Sequence, residues 1–495
     1  MEEVVYILGL LTVGIYLAAL AYITFFCLLQ LHLLWQYNKS KKLESNLVKS
    51  DGTTYPFVTI QLPIFNEKYV VERLIDSIVA FNYPKDRFEI QILDDSTDDT
   101  VDIVAKHIKP YIDSGFQIYH ICREIRTGYK AGALQEGMAT AKGEFIAIFD
   151  ADFLPNKNFL LQTIPQFTSD DIGVVQTRWE HINENYSLLT RLQAFQLNVH
   201  FTVEQTGRES ADYMLQFNGT GGVWRTATIL DAGGWESDTL TEDLDLSYRA
   251  QLRGWKIKYL EEVGSPAELP AEMIGLKSQQ YRWMKGGAET AKKVLPTVWA
   301  SSLPRLKKIH AVGHLLSSAI FLFVFLAGVF SVPALVTIEL LMWNTNFFAL
   351  FLVGLLSIGA VYFVASLYVP GELQSRTRRI IRFVLLFPVF LALSMGLSLH
   401  NSIAVLQGFF GKQSPFIRTP KFNIVSIDDT FSKKQYFNKK LTFSTIGEGI
   451  LSIYFLWAAC YGIMTGNSAF VFYHGLLAIG FGTIFFYSVK HATSR

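Results

Sequence analysis

Apolar and polar positions alternate on different scales along the chain, and each scale predicts a different kind of element. From Val4 to Trp35 the run is almost continuously apolar. It is longer than the apolar core of a signal peptide and lacks a basic start and a small-residue cleavage site, so it predicts a retained membrane helix. The basic connector Asn38-Lys39-Ser40-Lys41-Lys42 follows, and the positive-inside rule assigns it to the cytoplasm. The acidic Glu2-Glu3 end is then outside, and the segment beyond the connector is cytoplasmic.

Between about Phe57 and Leu295 no apolar run is long enough to span a bilayer. Short β-branched runs alternate instead with amphipathic stretches. Strands are predicted at 58–62, 88–93, 116–122 and 145–149, and helices at 67–81, 98–109 and 130–141. Such alternation predicts a doubly wound, mostly parallel α/β sheet. Ligands of these sheets sit beyond the carboxyl ends of the strands. Three polar clusters fall at such ends: Pro63-Ile64-Phe65-Asn66-Glu67, Asp94-Asp95-Ser96-Thr97-Asp98 and Asp150-Ala151-Asp152.

Beyond Pro296 the membrane pattern returns, with apolar segments at about 309–330, 347–369, 383–406, 441–464 and 468–489. Basic residues flank the third on both sides, Arg376, Arg378, Arg379 and Arg382 before it and Lys412, Arg418 and Lys421 after it. Both ends then belong in the cytoplasm, which one crossing does not allow. The segment also contains Pro388, Ser394, Ser398, His400 and Asn401, which suits a helix lying in the interface. The expectation is five crossings, one before the α/β domain and four after. The boundaries are 1–37 for the first membrane helix, 38–56 for a linker, 57–295 for the α/β domain and 296–495 for the membrane part, with a cytoplasmic loop at 408–441.

Composition agrees. Half of the 495 residues are hydrophobic and only 18% are charged, too apolar for a wholly soluble protein. The net charge of +1 gives no nucleic-acid footprint. Cys27, Cys122 and Cys460 lie far apart, so neither a disulfide framework nor a zinc site is readable.

The chemistry follows from the clusters. Asp150 and Asp152 are hard oxygen ligands at a strand exit, suited to Mg²⁺ or Mn²⁺ and a diphosphate. Asp94 and Asp95 exceed what a helix cap needs and suit a nucleoside's N–H and hydroxyl donors. Lys130 begins a helix, against the dipole preference, which points to an anionic partner. In Thr241-Glu242-Asp243-Leu244-Asp245 a carboxylate at a helix start can serve as general base. Glu242 alone is explained by the helix dipole, leaving Asp243 and Asp245 as candidates. Gln279, Arg282 and Trp283 fall within one helical turn, combining an amide, a phosphate-clamping guanidinium and an indole on which sugars stack.

In this order and followed by membrane helices, Asp94-Asp95, Asp150-x-Asp152, Thr241-Glu242-Asp243 and Gln279-x-x-Arg282-Trp283 resemble the processive, membrane-bound family 2 glycosyltransferases, the group of the cellulose, chitin and hyaluronan synthases. The phrases Leu93-Asp94-Asp95-Ser96-Thr97-Asp98, Asp150-Ala151-Asp152-Phe153, Glu268-Leu269-Pro270 and Ser414-Pro415-Phe416-x-Arg418-Thr419-Pro420-Lys421 are similar to the cellulose-synthase-like mannan and glucan synthases. The resemblance implies a cytoplasmic GT-A fold inserted in a helical membrane bundle. It implies donor contacts from Pro63, Asn66, Glu67, Asp94, Asp95, Lys130, Asp150 and Arg282, and a metal on Asp150 and Asp152. Asp243, rather than Asp245, would be the base. Asn218, Gly219, Thr220, Gln279 and Trp283 would border the acceptor, and the segment 414–421 would gate the nucleotide.

The implied partners are a nucleotide-diphospho-sugar, either UDP-glucose or GDP-mannose, and a β-linked polysaccharide, with no nucleic acid. The expected place is the inner or plasma membrane, or the Golgi membrane of a eukaryote. One helix precedes the domain where bacterial cellulose synthases have several, and no sensing domain follows, so control by a cyclic dinucleotide is not expected. Ceramide glucosyltransferases share D-x-D and Q-x-x-R-W, which keeps single-sugar transfer to a membrane lipid as an alternative. A transporter or inactive scaffold is disfavoured by the complete acidic set.

Overall fold

The computed structural model describes residues 2–41, 47–49, 52, 54–344, 346–368, 375–412, 419–424, 429 and 442–493. Its soluble part is built on a seven-stranded sheet: β1 (Val58–Ile64), β2 (Phe88–Asp94), β3 (Ile118–Cys122), β4 (Phe145–Ile148), β5 (Ile172–His181), β6 (Gly222–Arg225) and β7 (Lys256–Ala267). The order is β3-β2-β1-β4-β6-β5-β7. β1 to β4 are mutually parallel, β6 runs antiparallel to both its neighbours, and β5 pairs parallel with β7. The expected mostly parallel α/β sheet is therefore present, and the expected strands and helices recur with ends moved by a few residues.

β1, β2 and β4 read VTIQLPI, FEIQILD and FIAI and are almost wholly buried, as parallel strands covered on both faces are. Helices Val71–Val79 and Thr100–Asp113 pack Leu74, Ile78, Val104 and Ile108 against Ile60 and Ile90. Helix Tyr129–Met138 sets Leu134 against Ile146 and Ile148 on the opposite face. In the pairing register Ile64 lies beside Asp94 and Gln61 beside Ile148. The strands end together, and the three polar clusters form one rim.

Among the described residues five helices are long and apolar enough to cross a membrane, within Tyr6–Ser40, Ser317–Leu340, Arg376–Gly396, Phe443–Met464 and Phe470–His491. By length alone this reverses one expected pair, because the 347–369 segment gives a helix of only 16 residues, Leu352–Leu367, after a 3-10 turn at Asn346–Phe351. Contacts separate the two further. Along the N-terminal helix, Phe348 meets Tyr16, Gly354 meets Thr24, and Tyr362 and Ala365 cluster with Leu34 and Tyr37. The Asn346–Leu367 stretch thus follows that helix over most of its length.

The segment expected at 383–406 is two helices, Arg376–Gly396 and Ser398–Phe409. The first carries Arg382 on Glu184 and shares a cluster with Met273 and Leu276 through Phe390 and Leu393, while its end at Gly396 packs on Gly480 of the Ser468–Thr493 helix. The second lies along the helix Met273–Ala300, with His400 Nε2 donating to Lys277 O at 2.9 Å. Both ends of the pair are held at the soluble domain.

Met273–Ala300 joins the two halves. Its Lys277 donates to Glu448 of the Phe443–Met464 helix at 2.8 and 3.0 Å, both side chains being buried. Its first turn is capped by Glu272, which accepts from the Ile274 and Gly275 amides.

Candidate functional site

The rim after β1 and β2 is a pair of interlocked loops. Asn66 adopts φ +56°, donates its N–H to Ser96 Oγ at 2.8 Å and accepts from the Thr97 amide at 2.7 Å. It staples the loops and does not line the cleft. Asp94 also turns inward, accepting from the Ser96 amide and from His120 Nε2, each at 2.9 Å. Asp95 faces the cleft with Pro63, Phe65, Glu67 and Arg126. It is met bidentately by Arg123 at 2.8 and 2.5 Å, with Arg126 at 3.6 Å. The expected donor residues therefore split, with Asn66 and Asp94 supporting a wall formed by Pro63, Glu67 and Asp95.

At the end of β4 each metal candidate meets a lysine. Lys130 Nζ lies 2.6 Å from Asp150 Oδ1 and 2.9 Å from the Gly219 carbonyl. Lys421 Nζ lies 2.5 Å from Asp152 Oδ2 and 3.3 Å from the Glu268 carbonyl. Burial works against the Lys130 charge, but Asp150, Glu242 and Asp243 outweigh it and raise its pKa. Thr220 stands behind the rim, its hydroxyl accepting the Asp150 amide at 2.9 Å, so it positions Asp150 and is not itself a wall residue.

The third side is the helix Glu242–Leu252. Burial, with Glu242 beside it, pushes Asp243 up to about 7, against the pull of Lys130; burial raises Glu242 as well. Asp245 is fully buried away from the cleft, paired with Arg249 at 2.8 Å and Lys293 at 3.1 Å. Of the two candidate bases, only Asp243 lines the cleft. Gly219, at φ +78°, passes so close that a Cβ there would lie 3.1 Å from Asp243 Oδ2 and 3.5 Å from Lys130 Nζ.

Gln279, Arg282 and Trp283 close the cleft from the Met273–Ala300 helix. Burial lowers the Arg282 pKa while Asp150, Glu242, Asp152 and Glu67 oppose it, and its Nη2 donates to Thr419 Oγ1 at 2.7 Å. Phe422 donates its amide to Glu268 at 2.8 Å, and Thr419 and Lys421 line the cleft. The rest of the expected gate, 414–418, and most of the 408–441 loop lie outside the described residues.

The whole encloses about 1290 Å³ of empty space, open solvent included. It brings together Pro63, Glu67, Asp95, Lys130, Asp150, Asp152, Asn218, Gly219, Asp243, Gln279, Arg282 and Trp283, as expected from sequence, and leaves out Asn66, Asp94 and Thr220. It adds Phe65, Arg126, Trp179, His181 and Glu268, and Lys421 of the expected gate segment lines it as well. Trp179 and His181 sit on β5, whose period-two run Val175, Thr177, Trp179, His181 was the available signal. Asp150 and Asp152 supply hard oxygen donors, and each already attracts a cation; the pair fits a divalent ion by donor chemistry.

Residues 59–230 match the Glycosyl transferase family 2 signature and residues 145–364 match Glycosyl transferase family group 2. The chain is 32% identical over 465 residues to glucomannan 4-beta-mannosyltransferase 9 of Arabidopsis thaliana, covering 89% of this chain and 83% of that protein. It is 42% identical over 268 residues to glucomannan 4-beta-mannosyltransferase 1 of Oryza sativa subsp. japonica, covering 53% of this chain and 51% of the relative. With that protein and a second rice relative, the match spans about half the relative's length. Among solved structures, a mannosyltransferase from Pyrobaculum calidifontis, in complex with GDP-Man and Mn2+, superposes with a TM-score of 0.54 at 18% identity, covering 81% of this chain and 100% of that one. That likeness establishes the GT-A fold.

Proposed function

The chain belongs to the family 2 glycosyltransferases, and from that premise we propose that it is an inverting hexosyltransferase of the membrane, extending a β-1,4-linked polysaccharide with mannose from a nucleotide-diphospho-mannose. The mannosyl choice follows the names of the relatives. The observation that carries the reading is Asp243, a carboxyl raised to about 7 that lines the cleft with the Lys130–Asp150 pair, Gly219 lying beside both Asp243 and Lys130.

In a single displacement the acceptor hydroxyl oxygen bonds to the anomeric carbon as the bond from that carbon to the diphosphate oxygen breaks. Asp243 takes the hydroxyl proton, and the bonding electrons leave with the diphosphate. Lys130 and Arg282 face that growing negative charge. A divalent cation on Asp150 and Asp152 would add further charge neutralisation. Pro63, Glu67 and Asp95 border the nucleoside, and Gln279 and Trp283 border the acceptor.

We place the catalytic domain in the cytoplasm and the N-terminus outside. The 346–367 stretch then crosses, and helices Arg376–Gly396 and Ser398–Phe409 lie at the interface. The contacts of both latter helices with the soluble domain support this over their length and composition.

The test is Asp243→Asn in membranes supplied with GDP-mannose or UDP-glucose. Transfer should fall by at least about a hundredfold while nucleotide binding persists. Retained turnover would remove Asp243 as base, and a single-sugar lipid product would replace the polymer reading.

A further inference from the structure

Two side chains in the cleft play no part in the displacement just described, and each keeps buried polar atoms without a partner among the described residues. Both ring nitrogens of His181 are buried and make no hydrogen bond among the described residues; the same holds for Asn218 Nδ2. Buried donors and acceptors are nearly always matched, by protein or by water, and these unmatched atoms belong to side chains that line the cleft.

Asn218 is held so that only this atom remains. Its amide N–H donates to Gln176 Oε1 at 2.8 Å, and its Oδ1 receives His200 Nε2 and Gln216 Nε2, each at 2.9 Å. His200 is braced in turn by Glu204 at 2.9 Å, within a π-helical turn His200–Glu204, a feature that recurs at functional sites. His181 ends β5 beside Ala267 of β7. Trp179 lies two residues earlier on the same face, with its indole N–H donating to Thr220 O at 3.3 Å. Thr220 is two residues from Asn218, so the three side chains follow one wall.

The strand order says which substrate this wall meets. The nucleoside wall is at β1 and β2, the metal candidates are at β4, and β5 lies two strands further on, across β6. Beyond β5 the helix Leu188–Val199, whose Leu197 also lines the cleft, packs Phe195 against Tyr362 and Phe390 of the membrane half. Burial, then Arg178, pushes His181 down to about 3, leaving a neutral ring with one donor and one acceptor. A sugar hydroxyl has the same pair of capacities. No cluster of metal-ligating side chains among the described residues includes His181.

We propose that Trp179, His181 and Asn218 form a subsite for a neutral hexose of the acceptor chain, whose ring lies along Trp179 while its hydroxyls exchange hydrogen bonds with His181 and Asn218. This rests on the glycosyl-transfer reading above; Asn218 already follows from the resemblance, and the structure adds Trp179 and His181 as the groups that would orient the acceptor.

The experiment uses the whole 495-residue chain in detergent, with GDP-mannose as donor and a β-1,4-manno-oligosaccharide as acceptor. His181→Phe keeps the ring volume and removes both nitrogens, and Asn218→Ala removes the amide. Each should raise the acceptor KM by about tenfold or more, with the donor KM moving less than about twofold. His181→Phe should leave the thermal midpoint equal or higher, because it deletes unmatched buried atoms. If it fails to fold, His181→Gln, which keeps a donor and an acceptor, should retain an acceptor KM within about threefold of wild type. Unchanged acceptor kinetics, or a rise confined to the donor KM, overturns the subsite. Wild-type protein that transfers from no nucleotide sugar would instead overturn the function on which it rests.

Discussion

Asp243 lies where burial and a neighbouring acid work against a carboxylate and Lys130 works for it. Its pKa rises from the ordinary 3.8 to about 7. A base must be deprotonated to accept the acceptor's proton, so activity should climb as pH rises from 6 to 8, with the limb near 7. A pH profile of initial rate under saturating donor checks this. For stability the sign is opposite. The folded state holds this proton more tightly than the unfolded one, so the group's contribution favours folding at low pH and is lost as pH rises between about 4 and 7. Gly219 makes a second prediction at this scale. Its φ of +78° disfavours any side chain, at about 1–2 kcal/mol, and a Cβ would press on Asp243. Gly219→Val should lower kcat at least about tenfold with a modest fall in thermal midpoint. Equal kcat in the variant would show that the approach of Gly219 to Asp243 is incidental. Asp94 shows what a motif hides, since two adjacent aspartates read alike in sequence yet one serves His120 and the Ser96 amide while the other faces the cleft.

At the scale of elements, the helix Met273–Ala300 does two tasks. Gln279, Arg282 and Trp283 face the cleft, while Lys277 in the same helix is buried against Glu448. Removing one partner of such a pair leaves a buried charge uncompensated, at about 3–5 kcal/mol, whereas replacing both with apolar residues is often neutral. Lys277→Met should therefore lower the thermal midpoint markedly, and adding Glu448→Met should restore most of it. Comparable loss in the single and double variants would mean the pair has another role. The apolar pattern located this helix only as the end of a domain. Its second face needs the folded partner helix, which arrives 171 residues later.

Over the whole molecule, the soluble and membrane halves share cores. Leu192, Phe195, Met273 and Leu276 of the soluble half cluster with Tyr362, Phe390 and Leu393 of the membrane half. Val294 and Val298 likewise pack on Ala311 and Leu315. Cutting the chain to residues 57–295 would expose these faces, and the fragment should aggregate unless detergent is present; gel filtration with and without detergent decides it. A soluble, monodisperse fragment would show that the domain folds independently of its membrane helices.

Local pattern sufficed for much of this. Apolar runs gave four of the five helices long enough to cross a membrane among the described residues but not the choice between 347–369 and 376–396, β-branched runs gave the parallel strands, and the acids at strand ends gave the rim, because each depends on neighbours within a few residues. Period and polarity were weaker for β5 to β7, where strands pair across β6 in mixed directions, and the cleft residues Trp179 and His181 were missed with them. Which of Asp94 and Asp95 faces the cleft, which of Asp243 and Asp245 does, and that Lys421 reaches Asp152 across 269 residues depend on contacts between distant segments. Only tertiary packing sets those, because burial and the choice of ionic partner belong to the assembled space and not to the order of residues.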